Sequence, residues 1–210
     1  KLPTDRQTIK FRFLCDNDAG VGESTFLYTP EFFAKPGNQF NLELAKASLG
    51  LAMAAFDQNG SQNIQALFTE LQLGENYGGS TKYEYCEHTA DSICYAIASA
   101  PLDIADKEGD STLIAIAVCG AGYQSEWAGN FKVGEEDNHA GFQEASNEVF
   151  LGLLKFINEK KIKGRIKIWI AGYSRGAAVA NLTAGRLSDG RLNEFPAAKD
   201  ITFNAKDLYA

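Results

Sequence analysis

The sequence predicts an α/β fold, a mostly parallel sheet with helices on both faces, on three observations. "TLIAIAVCG" (112–120) and "IKIWIAG" (166–172) are apolar, β-branched runs of strand length, the pattern of strands buried on both faces. Between them, residues 139–160 place Phe142, Ala145, Val149, Leu153 and Phe156 on one helical stripe. "SRGAAVANLTAGRL" (174–187) is helical again and ends near Asp189 and Gly190. Strand, helix, strand, helix in that order implies parallel strands joined by right-handed crossovers.

The elements before them read in turn. "TIKFRFLC" (8–15) alternates and runs into the turn-forming "DNDAGVG" (16–22), a short edge strand or hairpin. "NLELAKASLGLAMAAF" (41–56) spaces Leu42, Ala45, Leu49, Ala52 and Phe56 by threes and fours behind Asn41 as N-cap, a helix that buries that face. "SQNIQALFTELQLG" (61–74) repeats the form, with Ser61 as candidate N-cap and Gly74 where a left-handed residue would end it. "YEYCEHTADSICYAIASAPL" (83–102) alternates early, is apolar late and reads as strand. There is no internal repeat and no low-complexity tract.

Composition sets outer bounds. With 210 residues, 45% hydrophobic and 22% charged, the chain suits one packed domain over residues 1–210. A formal net charge of −7 with scattered basic residues leaves no cationic surface for phosphate backbones, so nucleic acid is excluded as an expected partner. No apolar run approaches a transmembrane length. The chain begins "KLPTDRQ", without methionine or a charged-then-apolar leader, as a processed or shortened start would. Location stays open, with a secreted or cell-surface placement favoured over a cytoplasmic one. Cys15, Cys86, Cys94 and Cys119 have no metal-ligand or redox spacing, so neither a metal nor a cofactor is expected, and spacing alone does little to mark Cys86 and Cys94 as a disulfide. Cys119, inside an apolar run, reads as a small buried hydrophobe.

Gly172-Tyr173-Ser174-Arg175-Gly176 lies where the last long strand turns into helix. G-x-S-x-G in that position is the pattern of a nucleophile elbow, a sharp turn that lifts the serine Oγ above the sheet. Glycines two residues either side are needed because a Cβ there would strike the neighbouring strand or helix. The small residues of "AAVA" after Gly176 allow the helix to lie close to the sheet. Its N-terminal N–H groups would face an oxyanion above Ser174. The alternative is a serine that only caps a helix.

These residues resemble those of the class 3 lipases, a branch of the α/β-hydrolase superfamily related to the fungal triacylglycerol lipases. The family's elbow is usually G-H-S-x-G-[GA]-A; here "GYSRGAA" has Tyr173 for the histidine and Arg175 after the serine. The family's strand ending in R-G-[ST], then tryptophan and asparagine, is matched by Cys119-Gly120-Ala121, Trp127 and Asn130. Its "vHxGF" segment is matched by His139, Gly141 and Phe142 in "NHAGFQEA". The matches fall in order over roughly residues 110 to 190. The resemblance implies that Ser174 is the nucleophile of a carboxylic-ester hydrolase working through an acyl-enzyme, that the backbone N–H groups of Ala121 and Arg175 form the oxyanion hole, and that the substrate is an acyl ester or lipid. Ala121 stands where the family has Ser or Thr, so one hydroxyl donor is absent. A thioesterase, peptidase or acyltransferase would use the same elbow.

Serine needs a general base, normally a histidine oriented by a carboxylate. His88 and His139 both precede Ser174, whereas the order in α/β hydrolases is Ser, acid, His. By resemblance His139 is structural, and His88 sits at a loop or strand end. Asp189, Asp200 and Asp207 follow the serine, but the family's acid comes after a further strand whose start resembles "DLYA". The expectation is that 210 residues form the N-terminal portion of a longer domain whose acid and base follow Ala210. The competing expectation is a non-catalytic lipase-like binding domain. "GYQSEWAGNFKVGEEDN" (122–138) lies where related lipases carry a lid; Trp127 and Phe131 would line an acyl site, or Trp127 is a core aromatic.

Overall fold

The computed structural model describes residues 9–17, 20–56, 60–74, 83–86, 93–102, 104, 109–120, 130–134 and 139–210. Strands β1 (Ile9–Asn17) and β2 (Gly20–Tyr28) pair antiparallel, so the first segment is a hairpin. Its strands run through most of the stretch expected to be turn: "GVG" belongs to β2. Helices α1 (Leu42–Phe56) and α2 (Gly60–Glu70) follow. Next come β3 (Tyr83–Cys86), β4 (Tyr95–Leu102) and β5 (Ser111–Val118), then α3 (Ala140–Glu159), β6 (Gly164–Gly172) and α4 (Arg175–Ser188). Two short strands, β7 (Ile201–Thr202) and β8 (Leu208–Tyr209), close the chain.

The main sheet is mixed, which corrects the expectation of a mostly parallel one. Its order is β3-β4-β5-β6-β7, with β8 also on β6. β3 and β4, and β4 and β5, pair antiparallel, whereas β6 runs parallel to β5, β7 and β8. The reason is the connection. Eight residues join β4 to β5, enough for a hairpin-like return but too few for the crossover that parallel neighbours need. The β5-α3-β6-α4 portion does have the alternation expected of it.

Helices cover both faces. Odd-numbered Leu113, Ala115, Ala117, Trp169 and Ala171 face α1, α2 and the Tyr28–Phe33 segment. Even-numbered Ile114, Ile116, Val118, Ile166, Ile168 and Ile170 face α3 and α4, the alternation that a strand's period of two imposes.

Asn41 caps α1 as expected, its Oδ1 accepting from the N–H groups of Glu43 and Leu44 at 3.1 and 3.2 Å. The buried face is another matter. Ala47, Leu51, Ala54 and Ala55 are buried, while Leu42, Ala45 and Leu49 are exposed; of the expected stripe Ala52 is buried, and the Phe56 side chain lies outside the described residues. α1 is apolar nearly all round, and the stripe of smaller residues wins because it lies over Trp169, whose indole N–H donates to Ser48 Oγ at 2.8 Å. α2 starts one residue before Ser61, which is therefore not its cap. It ends through Gln72 at φ 58, with Leu73 N–H donating to the Phe68 carbonyl at 2.7 Å, and Gly74 follows at φ 88, left-handed as expected though two residues beyond the turn that ends the helix.

Residues 30–37 pack over β8. Tyr209 hydroxyl donates to the carbonyls of Phe33 and Lys35 at 3.0 and 2.7 Å, and Gly37 N–H donates to Lys206 at 2.8 Å. A Cβ on Gly37 would sit 1.7 Å from the Leu208 carbonyl oxygen. Phe33, Tyr28 and Trp169 complete this aromatic cluster, and burial pushes the Tyr28 phenol far above its ordinary pKa.

Candidate functional site

β6 ends at Gly172 and α4 begins at Arg175, leaving Tyr173 and Ser174 to make the turn. Ser174 has φ 55 and ψ −123. That lies outside the left-handed helical basin and in a region an L-residue occupies at a cost of about 1–3 kcal/mol. The turn is closed by Gly176 N–H donating to the Tyr173 carbonyl at 2.9 Å, and by Ala177 and Ala178 donating to the Ser174 carbonyl at 3.0 and 3.3 Å. Ser174 is exposed and occupies the N-cap position, yet its side chain makes no capping bond. A capping serine would have β-region backbone and accept from the second or third N–H of the helix. The capping alternative therefore fails on both geometry and bonding.

The two glycines are sterically required. A Cβ on Gly172 would lie 2.3 Å from the Gly176 carbonyl oxygen, and one on Gly176 would lie 2.5 and 2.6 Å from the carbonyl oxygens of Val118 and Cys119. Val118 is the partner of Gly172 in the sheet. The first turn of α4 thus rests on the ends of β5 and β6 with no room for a methyl group. The chain leaving β5 through the buried Gly120 does so beside this turn. Ala121 and Trp127, expected in the oxyanion hole and acyl site, lie outside the described residues, as does His88.

A closed set of contacts stands behind the serine. Arg175 is 3% exposed; its guanidinium donates to Asn130 Oδ1 at 2.9 Å and lies 5.3 Å from the centre of the Phe142 ring. Phe142 stacks on His139 at 4.1 Å. His139 Nε2 donates to the Asn130 carbonyl at 3.0 Å, and its Nδ1 accepts from Phe142 N–H at 3.4 Å. A carbonyl on one side and an N–H on the other place the ring proton on Nε2. His139 is thus the N-cap of α3, with both ring nitrogens committed. The next donors of α3 are committed too, Ala140 and Gly141 N–H to the carbonyls of Val133 and Lys132, both at 3.0 Å.

No family model, curated protein or solved structure matches the chain.

The three carboxylates that follow Ser174 are all distant from it. Asp207 is buried at the foot of β6, its Oδ1 2.7 Å from Arg165 and 3.7 Å from Lys167. At the rise of a strand, its register beside Lys167 places it roughly 15–20 Å below the serine. Asp200 pairs with Lys163 at 3.2 Å, also at the foot, and Asp189 is the C-cap of α4, about 20 Å along the helix from its start. A cleft of ≈ 420 Å³ lined by Ser111, Lys163 and Arg165 opens at this same foot, away from the nucleophile. No group of three or more His, Cys, Asp or Glu side chains is disposed to hold a metal among the described residues. No described helix is long and apolar enough to cross a membrane. Cys94 is buried, its Sγ 2.9 Å from the Tyr85 hydroxyl, and the Cys86 side chain lies outside the described residues; Cys119 is buried as expected.

Arg175 is the residue that sequence reasoning undervalued, since its backbone N–H was assigned a role and its side chain none. The available signal was a lone long cation opening a helix of small residues, with an asparagine and "HAGF" upstream.

Proposed function

We propose that the chain carries the nucleophile of a carboxylic-ester hydrolase of the lipase/esterase type, an α/β-hydrolase allied to the class 3 lipases. The observation that carries this reading is the backbone of Ser174, held at φ 55 and ψ −123 with its hydroxyl uncommitted to the helix behind it. A strained, exposed serine between two glycines that admit no Cβ has a use in nucleophilic attack and none in capping. Ser174 Oγ adds to the ester carbonyl while a general base takes its proton. The tetrahedral oxyanion accepts hydrogen bonds from the N–H groups of Arg175 and, by the resemblance, Ala121. The intermediate collapses to the acyl-enzyme as the protonated base returns the proton to the departing alcohol, and water then releases the acid by the same steps. Phe131, Val133 and Tyr173 are 72%, 63% and 45% exposed. They sit beside Asn130 and Ser174 in the chain and offer apolar surface to the acyl group. Neither His139 nor Asp189, Asp200 or Asp207 is placed to serve as the base and its carboxylate, and β8 runs parallel to β6, toward the elbow's end of the sheet. A fluorophosphonate probe on the full-length protein should label Ser174, and Ser174→Ala should abolish labelling. Labelling that survives the substitution refutes the assignment; where it is lost, esters from acetyl to long acyl define the substrate.

A second reading, a non-catalytic lipase-like binding domain, is favoured by one observation: His139 is committed at both nitrogens and Asp189, Asp200 and Asp207 are remote. The sequence after Ala210 separates the two. A histidine within about a hundred residues, preceded by an aspartate at a strand end, supports the hydrolase, and its absence supports the binding domain.

A further inference from the structure

We infer that the Arg175 side chain is a positioning residue for the proposed reaction: through Asn130 and Phe142 it clamps the first turn of α4 to the first turn of α3, fixing the oxyanion donor beside Ser174. This inference rests on the hydrolase reading. Arg175 is the first residue of α4, so its own N–H is the donor assigned to the oxyanion and its side chain leaves from the same Cα. That side chain is buried and fixed at two points, the Asn130 Oδ1 and the face of Phe142.

Both anchors belong to the start of α3. Phe142 is in its first turn, and Asn130 is tied to its cap by His139 Nε2. Residues 130–134 are held along the same turn by the Ala140 and Gly141 N–H groups. Gly134, at φ +80, lies so close that a Cβ would come 2.9 Å from Ala140 Cβ. The loop of contacts runs Arg175, Asn130, His139, Phe142 and back to Arg175. Further along, Ser146 Oγ and Thr183 Oγ1 meet at 3.1 Å across the buried seam between the two helices. The helices therefore shift together at the elbow, and the seam resists rotation of α4 about its axis. Rotation is the motion that would swing the Arg175 N–H away from the developing charge. A planar guanidinium suits the task because it bonds in-plane and stacks face-on at once, which a lysine ammonium does not.

The test compares Arg175→Lys, Arg175→Met and Asn130→Ala in the full-length protein by fluorophosphonate labelling rate, by kcat and KM on a short ester, and by amide exchange at Gly141 and Phe142. Arg175→Met should lower labelling rate and kcat by roughly ten- to a hundredfold with KM little changed, because a donor misplaced by a fraction of an ångström loses transition-state stabilisation rather than substrate binding. Arg175→Lys should recover little of that loss. Arg175→Met combined with Asn130→Ala should be no worse than Arg175→Met alone, since both remove one interaction. Protection at Gly141 and Phe142 should fall in all variants. Folded Arg175→Met that labels at the wild-type rate, or single effects that multiply, overturn the clamp. If Arg175→Met does not fold, Arg175→Lys and Asn130→Ala decide by the same measures. A wild-type protein that takes no label sinks the hydrolase reading instead, and unchanged protection in Arg175→Lys and Asn130→Ala then removes the clamp as well.

Discussion

The same substitution made twice in one helix should have opposite effects. Gly176 and Gly185 both lie in α4. A methyl group on Gly176 would meet the Val118 oxygen at 2.5 Å, the Cys119 oxygen at 2.6 Å and the Cys119 carbonyl carbon at 2.9 Å. All three are backbone atoms, and Val118 is held between Tyr95 and Gly172 in the sheet, while Cys119 N–H donates to Cys94 at 2.9 Å. They cannot swing aside as a side chain would. Restoring ordinary contact requires α4 to lift by about an ångström, and overpacking of that kind costs about 1–3 kcal/mol or more. Helix propensity gives back at most about 1 kcal/mol. Gly176→Ala should therefore lose about 1–2 kcal/mol, which for a chain of this size lowers Tm by about 2–8 °C. A Cβ on Gly185 meets nothing within 4 Å, so Gly185→Ala should gain about 0.5–1 kcal/mol. Urea melts of both variants, compared at unchanged slope, read the difference. A Gly176→Ala midpoint at or above wild type would refute the claim that α4 rests directly on the end of β5.

Three further outcomes are expected. Ser174→Gly should raise stability by about 1 kcal/mol while abolishing fluorophosphonate labelling, because glycine occupies the strained backbone region freely; a lower thermal midpoint would mean that the serine is not strained. His139→Ala should cost about 1–2 kcal/mol for its cap and its bond to Asn130 but leave labelling within about tenfold of wild type, and a loss beyond a thousandfold would make it the base after all. Leu49→Lys should change stability by no more than about 0.5 kcal/mol, whereas Leu51→Lys should cost more than about 4 kcal/mol or prevent folding. Denaturation of the pair in the reverse order would show that α1 presents the other face to the sheet.

How far the sequence could be read depended on whether one pattern competed with another. β5, α3, β6 and α4 were legible because their burial is one-sided or complete: Ile114 and Ile116 leave no doubt about a strand, and Ala145, Val149 and Leu153 none about a helical stripe. α1 was legible as a helix and not in rotation, since Leu42, Leu49 and Leu51 all argue for burial and Trp169, which decides among them, is more than a hundred residues away. The antiparallel β4 was obscured for a similar reason. Ala96, Ala98 and Ala100 on one face and Tyr95 and Ile97 on the other say that both faces are covered, but direction is set by the length of the following connection. At the site, the glycine spacing announced the elbow, because backbone clashes depend on local sequence. The Arg175–Asn130 bond was illegible because it joins residues 45 positions apart through side chains that also suit an exposed surface.

The seating of residues 30–37 over β8 also sets a timetable. The Lys35 carbonyl and the Tyr209 hydroxyl that donates to it are separated by 174 positions. At about 5–20 residues per second, the first is made roughly 10 to 35 s before the second. Trp169, another large ring against Phe33, is also late in the order of synthesis. For that interval Phe33 has Tyr28 but neither Trp169 nor Tyr209 to pack against, and the nascent chain carries an apolar segment in search of a partner. A short early loop, far from the nucleophile, thus waits on one of the last strands to be made.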